Sequence, residues 1–321
     1  MPQSEFDIIE TYFNRQQLKR DDVILGIGDD AAILATPPDK QLVIAMDTLV
    51  SGVHFPANSS AEDIGYKALA VNLSDLAAMG AEPAWFSLAL TVPQSSTEWL
   101  AGFAKGLFLL ADHYQVQLIG GDTTRGPLTV TIQVAGYVPV GKGLTRDAAK
   151  AGDRIYVTGN LGEAALGLRC LQQPQIYTAD QQAIAKLNRP QPRVEVGLAI
   201  RDIASACIDI SDGLLADLGH ILEQSRLGAS VDRQLIPLSD TLRNLCQADE
   251  ENYQLALAGG DDYELCFCAP GEKAPVIKSL AEKLATPIRC IGVIEQQTGL
   301  RLHHGQQECA MNTEPGYEHF K

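Results

Sequence analysis

Residues 128–158 read LTVTIQVAGYVPV, then GKGLTRDAAKAGD, then RIYVT, and this succession decides the architecture. The first run alternates apolar and polar side chains over 128–140, the period of a strand with one buried face. Residues 141–153 then bring Gly, Lys, Asp and Arg with little periodicity, the composition of a connection rather than of an element. A new apolar strand follows at once over 154–158. The boundary is therefore set after Gly143, giving domains 1–143 and 144–321. At 321 residues the chain exceeds the usual single domain, and two are the default expectation.

Upstream of the boundary, Ser4 with Asp7, Ser60 with Asp63 and Ser95 with Glu98 have capping-box spacing ahead of helix-periodic apolar residues. Strand-like runs fall at 41–46, 85–92, 116–119 and 128–140, so the first half reads as α+β. Downstream, strands at 154–158, up to 210 and at 264–268 alternate with helices at 193–205, 214–224 and 274–284, and the second half reads as layered α/β. A Gln-rich stretch over 171–182 reads as a surface loop.

The net charge of -15 repels nucleic acid and anionic membrane surfaces, so neither is expected as a partner. No signal-peptide pattern opens the chain, no apolar run is long enough to span a bilayer, and the seven cysteines contain no CxxC pair. The expectation is a cytoplasmic protein with reduced thiols.

Six apolar runs end in aspartate after a Gly, a Ser or a turn: at Asp30, Asp47, Asp75, Asp122, Asp212 and at the pair Asp261 and Asp262. Each one alone reads as turn or cap chemistry. Together they would repel one another if they converged without a cation. Magnesium takes one or two carboxylates per ion and completes its shell with water and phosphate, so such a set implies several ions and a polyphosphate. Asp217, inside the following helix, is a weaker candidate, and Asp209 is expected to point away from Asp212.

Two phosphate-loop patterns are set aside. Residues 136–142 have Walker A spacing, but Gly143 stands where Ser or Thr should meet the metal, and the interior reads as strand. Residues 26–31 imitate a dinucleotide fingerprint, yet about ten residues separate Gly28 from Pro37, too few for a crossover helix.

The motifs GIGDDAA (26–32), MDTLVSGVHF (46–55), YKALAVNLSDLAAMGAEPAW (66–85), LIGGDTTRG (118–126), VTGNLGEAALGL (157–168), DISDGLLADLGH (209–220) and AGGDDYELCF (258–267), in that order, resemble the thiamine-monophosphate kinase family. That family sits with aminoimidazole ribonucleotide synthetase and selenophosphate synthetase among ATP users without a Walker loop. A selenophosphate synthetase would carry a reactive Cys near its start, whereas the first here is Cys170. The resemblance implies the aminoimidazole ribonucleotide synthetase-like α/β architecture, dimerisation through the N-terminal strands, and Mg-dependent transfer from ATP to thiamine monophosphate. It implies metal ligands at Asp30, Met46 (carbonyl), Asp47, Asp75, Asp122, Asp212 and Asp217, nucleotide contacts at Gly121, Asp122, Arg146 and Ala216, and substrate contacts at His54, Asp261 and Tyr317. Asp47, Asp122 and Arg146 are the residues expected to carry catalysis. The family pattern has Glu where this chain has Asp261, one methylene shorter, which leaves open whether Asp261 or Asp262 reaches substrate.

Overall fold

The computed structural model describes residues 4–246, 249–305, 307–309 and 316. Two compact units divide the chain, one comprising Met1–Leu76 and Ala81–Gly141, the other Ala77–Gly80 and Lys142–Lys321.

In the first unit the short helix α1 (Glu5–Ile8) opens on a Ser4–Asp7 capping box and continues into a π-helical turn, Ile9–Phe13. Two short strands, β1 (Val23–Leu25) and β2 (Ile33–Leu34), pair antiparallel. This excludes a dinucleotide fold at Gly26 and Gly28, which needs parallel strands joined by a helix. Strands β3 (Lys40–Val50), β4 (Glu82–Val92), β5 (Gln117–Arg125) and β6 (Thr129–Pro139) form a sheet of order β3-β6-β4-β5, and helices α2 (Ala61–Ala78) and α3 (Thr97–His113) lie between its strands in sequence. The Walker-like segment is therefore mostly strand β6. Ser60 caps α2 through the Asp63 N–H at 3.1 Å, whereas α3 is capped by Ser96, one residue beyond the expected Ser95.

Alternation along these strands builds the unit's core. Leu88, Leu90, Val130 and Ile132 are buried on one face, as are Leu69, Leu73 and Leu76 of α2 and Leu100, Phe103 and Leu107 of α3. Each such side chain contributes about 1.5–3 kcal/mol when removed from water. The opposite face is more open: along the edge strand β3, Leu42, Ile44 and Met46 are exposed, Met46 by 62%.

The second unit carries strands β7 (Arg154–Thr158), β8 (Ala206–Asp209), β9 (Gly228–Asp232), β10 (Leu265–Ala269), β11 (Ile288–Glu295), β12 (Gly299–His304) and β13 (Gln307–Cys309), ordered β13-β12-β9-β11-β7-β10-β8. All neighbours pair antiparallel except β9 with β12. Its helices are α4 (Glu163–Gln172), α5 (Gln181–Asn188), α6 (Val194–Ile200), α7 (Leu214–Ser225), α8 (Asp240–Leu245), α9 (Asp249–Ala258) and α10 (Ala274–Lys283). Cys266 and Cys268 are buried in β10, and burial pushes both thiols well above their ordinary range. Between α4 and α5 the expected surface loop holds one buried anchor, Tyr177, whose hydroxyl pairs with Glu251 and Arg169. Among the described residues no helix is long and apolar enough to cross a membrane.

Candidate active site

The first unit contains a cavity of about 800 Å³. Its polar end is built from Gly28, Asp29 and Asp30 of the β1–β2 turn and from Gly120, Gly121 and Asp122 of β5. Only glycine fits at position 121: a Cβ there would overlap the backbone carbonyl of Leu88 on β4. That close approach leaves the backbone bare beside three carboxylates, a surface suited to phosphate oxygens and cations.

Strand parity separates two acids that the sequence grouped together. Asp122 pairs with Ala89, which pairs with Thr131 and through it Thr48, whereas Asp47 shares the next row with Ile132, Leu88 and Gly121. Neighbouring rows project to opposite faces of a sheet. Asp122 thus faces the cavity, while Asp47 lies on the helix-covered face. There its N–H donates to Oδ1 of Asn72 on α2 at 3.0 Å. Asp75, one turn beyond Asn72, lies on the same helix face, so α2 brings Asp75 towards Asp47. The exposed Met46 occupies the same row as Ser87 and Gln133 on the cavity face. Sequence reading mounted these acids at element ends. Instead, Asp47 and Asp122 are mid-strand and Asp75 is inside a helix, because Thr48, Leu49 and Val50, and likewise Thr123 and Thr124, continue the β pairing.

His54 closes a turn after β3. Its Nδ1 accepts the Val50 N–H at 3.0 Å, which places the proton of the neutral ring on Nε2.

In the second unit two loops are joined by backbone bonds: the N–H groups of Asp261 and Tyr263 donate to the carbonyls of Ser211 and Ile210, each at 2.8 Å. Asp212 and Asp261 are thereby neighbours. Asp261 and Tyr263 both sit at positive φ, 61° and 49°, a conformation that costs about 1 kcal/mol or more outside glycine. Asp262 turns inward, where both its oxygens accept the Gly162 N–H at 3.0 and 2.9 Å ahead of α4, and burial pushes its carboxyl well up. Those bonds hold Asp262 against the turn ahead of α4. Gly316 packs against the Asp212 carbonyl and Ala216. Tyr317 lies outside the described residues.

Asp217 has a structural task beside the metal role expected of it. Its Oδ2 accepts three backbone N–H groups, from Ser211 and Asp212 at 3.0 Å and Gly213 at 3.1 Å. The residue is buried, and that burial, with the charges of Asp209 and Asp212, pushes its carboxyl up to about 7. Three donors saturate Oδ2, so an ion could be met only by Oδ1. Asp217 shapes the loop that presents Asp212.

Arg146 is exposed on a loop tied down by the Ser225 hydroxyl, which donates to its carbonyl at 3.0 Å, and by Cys207 N–H, which donates to the Thr145 carbonyl at 3.2 Å. Sequence reading missed the buried network behind Asp261. Arg193 holds Glu264 with two donors, one of them Nε at 2.6 Å, and Thr158 donates to the same carboxylate at 2.5 Å.

Among the described residues, no group of three or more His, Cys, Asp or Glu side chains is close enough to hold a metal. The acids are spread out: Asp29, Asp30 and Asp122 line the cavity without forming such a group, Asp47 and Asp75 lie on β3 and α2, and Asp212 and Asp261 lie on the two joined loops. Carboxylate oxygens in ones and twos, beside open backbone, fit the donor demand of magnesium.

Two family models match the chain: AIR synthase related protein, N-terminal domain, over residues 28–138, and its C-terminal domain over 150–305. The fold and site thus define an AIR synthase-related two-domain protein. The chain is 46% identical over 321 residues to thiamine-monophosphate kinase of Escherichia coli (strain K12), covering 98% of each. The crystal structure of thiamine-monophosphate kinase from Stenotrophomonas maltophilia K279a matches with a TM-score of 0.87 at 47% identity, covering 92% of this chain and 95% of that one. AaThiL complexed with AMPPCP and TMP matches with a TM-score of 0.77 at 27% identity, covering 98% and 97%. The chain belongs to the thiamine-monophosphate kinase family, and it is a kinase.

Proposed function

We propose that the chain transfers the γ-phosphoryl group of ATP in line to the phosphate of thiamine monophosphate, giving thiamine diphosphate and ADP. The observation carrying this reading is the glycine-backed cavity wall on which Asp30 and Asp122 stand, in a chain 46% identical to a thiamine-monophosphate kinase. The relative solved with AMPPCP and TMP supports the pair of substrates.

The acceptor needs no strong base, because a phosphate monoester has its second pKa near 6 and is largely ionised at neutral pH. Repulsion between the two anions is the main obstacle. Magnesium, when bound, supplies neutralising charge between the phosphates. Separate ions would be held in the first unit by Asp30 and Asp122 at the cavity wall and by Asp47 and Asp75 on the other face of the sheet, with the Met46 carbonyl joining, and in the second by Asp212 and Asp217. Gly121 offers bare backbone to the nucleotide phosphates and Ala216 a close helix surface. Arg146, on its tethered loop, supplies a fixed cation for transition-state charge. His54, through Nε2–H, binds the acceptor, while Asp261 and Tyr317 face its cationic thiazolium.

The first unit would then carry nucleotide and metal binding and dimerisation, and the second, set at 144–321, would complete the substrate site. The exposed row Leu42, Ile44 and Met46 on the edge strand β3 supports a homodimer formed through that strand. Free cysteines throughout the described residues support a cytoplasmic setting. Purified protein given ATP, magnesium and thiamine monophosphate should yield thiamine diphosphate on chromatography, and EDTA should abolish it. ADP formed without the diphosphate, or turnover indifferent to EDTA, would remove the proposal.

A further inference from the structure

We propose that Asn72 is a positioning residue for the kinase reaction: it locks the strand carrying Asp47 to the helix carrying Asp75, so that both carboxylates are held for a divalent cation before one arrives. The proposal rests on the magnesium reading given above. Asn72 is fully buried on α2, as are its neighbours Ala68, Leu69, Leu73 and Leu76. A primary amide in such surroundings is costly unless its polar atoms are bonded. Both ends are bonded here: Oδ1 accepts the Asp47 N–H at 3.0 Å, and Nδ2 donates to the Ala68 carbonyl at 2.9 Å.

The bond to Asp47 does more than satisfy the amide. In its sheet β3 is an edge strand, paired with β6, and antiparallel pairing leaves every second N–H of an edge without a strand partner. At Asp47 a helix side chain takes that place, and it fixes the peptide plane from which the Asp47 carboxylate projects. Helix α2 is a firm mount, because its backbone meets α3 closely enough that a Cβ at Gly106 would overlap the Glu62 carbonyl. Asp75 stands three residues after Asn72, on the same helix face. Residues 67–78 of this helix are all buried except Asp75, which is half-buried, as is Asp47. The one opening in that closed stretch thus falls at the acid sharing a face with Asn72. Losing a purely structural amide would cost stability alone. Losing one that orients metal ligands also costs affinity, typically about 10–100-fold.

The test uses the full-length protein with Mn2+ as the metal probe. Asn72→Ser leaves a hydroxyl able to donate to the Ala68 carbonyl and removes the acceptor at Asp47. Asn72→Asp keeps an acceptor there and loses the donor. Leu73→Ala, at an equally buried neighbour, controls for lost packing in the same helix. In metal-free hydrogen exchange the Asp47 amide should be protected in the wild type and in Asn72→Asp, and should exchange at least about tenfold faster in Asn72→Ser. By electron paramagnetic resonance Mn2+ should bind Asn72→Ser about tenfold more weakly, while Leu73→Ala stays within about twofold of wild type although its melting temperature falls. An unprotected Asp47 amide in the wild type, unchanged exchange or Mn2+ affinity in Asn72→Ser, or equal weakening in Leu73→Ala would overturn the proposal. Should Asn72→Ser fail to fold, the wild-type exchange and Asn72→Asp decide the matter: loss of protection in either overturns it. Asp47→Asn is the separate control. If it leaves Mn2+ binding unchanged, the magnesium reading fails at this site rather than the part given to Asn72.

Discussion

Replacing Asp217 by alanine should destabilise the second unit and impair catalysis together. The side chain is buried, and one of its oxygens holds the N–H groups of Ser211, Asp212 and Gly213 at 3.0–3.1 Å. Removing it strands three donors, each costing about 1–3 kcal/mol if nothing replaces the acceptor. Two effects reduce that sum: water can enter the vacated space, and a carboxyl already pushed up to about 7 by burial and its acidic neighbours no longer has to be accommodated. A net loss of about 3 kcal/mol follows, towards the upper end of ordinary single-residue effects. Urea denaturation with EDTA present measures it. The pH dependence carries the same signature. The carboxyl binds its proton more tightly in the folded chain than at its ordinary value of 3.8, so metal-free wild type should lose stability as pH rises from there to about 7. Asp217→Asn should flatten that slope. An alanine variant with unchanged urea midpoint and wild-type kcat would refute the reasoning, because the loop holding Asp212 would then not need its anchor.

Asp122→Asn should reduce kcat by at least about a hundredfold while leaving the melting temperature nearly unchanged, since the residue is exposed on the cavity wall and its loss removes charge rather than packing; steady-state kinetics and calorimetry check both halves. Glu264→Gln should destabilise the protein by about 3–5 kcal/mol, because it leaves the buried Arg193 cation without its counter-charge; the double change Glu264→Gln with Arg193→Met should cost less than the single one in urea titrations. Asp261→Asn should fold normally, since asparagine tolerates the positive φ of 61°, yet raise the KM for thiamine monophosphate. Asp261→Val should add a stability loss of about 1–2 kcal/mol, read by thermal melting.

The two-domain α/β architecture was legible because separate signals agreed: alternation over residues 128–140, the charged Gly-rich break, and capping serines, of which Ser4 and Ser60 fell at the right position and Ser95 one residue early. What escaped was whatever pairing decides. Strand ends inferred from a terminal aspartate fell short, since β3 runs on to Val50 and β5 to Arg125, where neighbouring strands supply hydrogen bonds that local composition does not reveal. The same pairing sets parity, which puts Asp47 and Asp122 on opposite faces of one sheet although their motifs look alike. That Asp217 and Asp262 hold backbone N–H groups was not legible, because a carboxylate facing inward has the same letter as one facing out towards a cation. The network of Arg193, Glu264 and Thr158 joins residues 35 to 106 positions apart, and only three-dimensional contact reveals it. The N-terminal helix was recognised from its Ser4–Asp7 box, but its part in lining a cavity with Gly121 depends on the fold bringing residues about 110 positions apart together.

Direct transfer between two phosphates is tested most sharply with ATP made chiral at the γ-phosphorus by isotopic and sulfur substitution, supplied with magnesium and thiamine monophosphate. In-line attack with no phosphorylated enzyme predicts thiamine diphosphate carrying the labelled group with inverted configuration. Retention of configuration, or release of the label as free thiophosphate with no labelled thiamine diphosphate, would contradict the account.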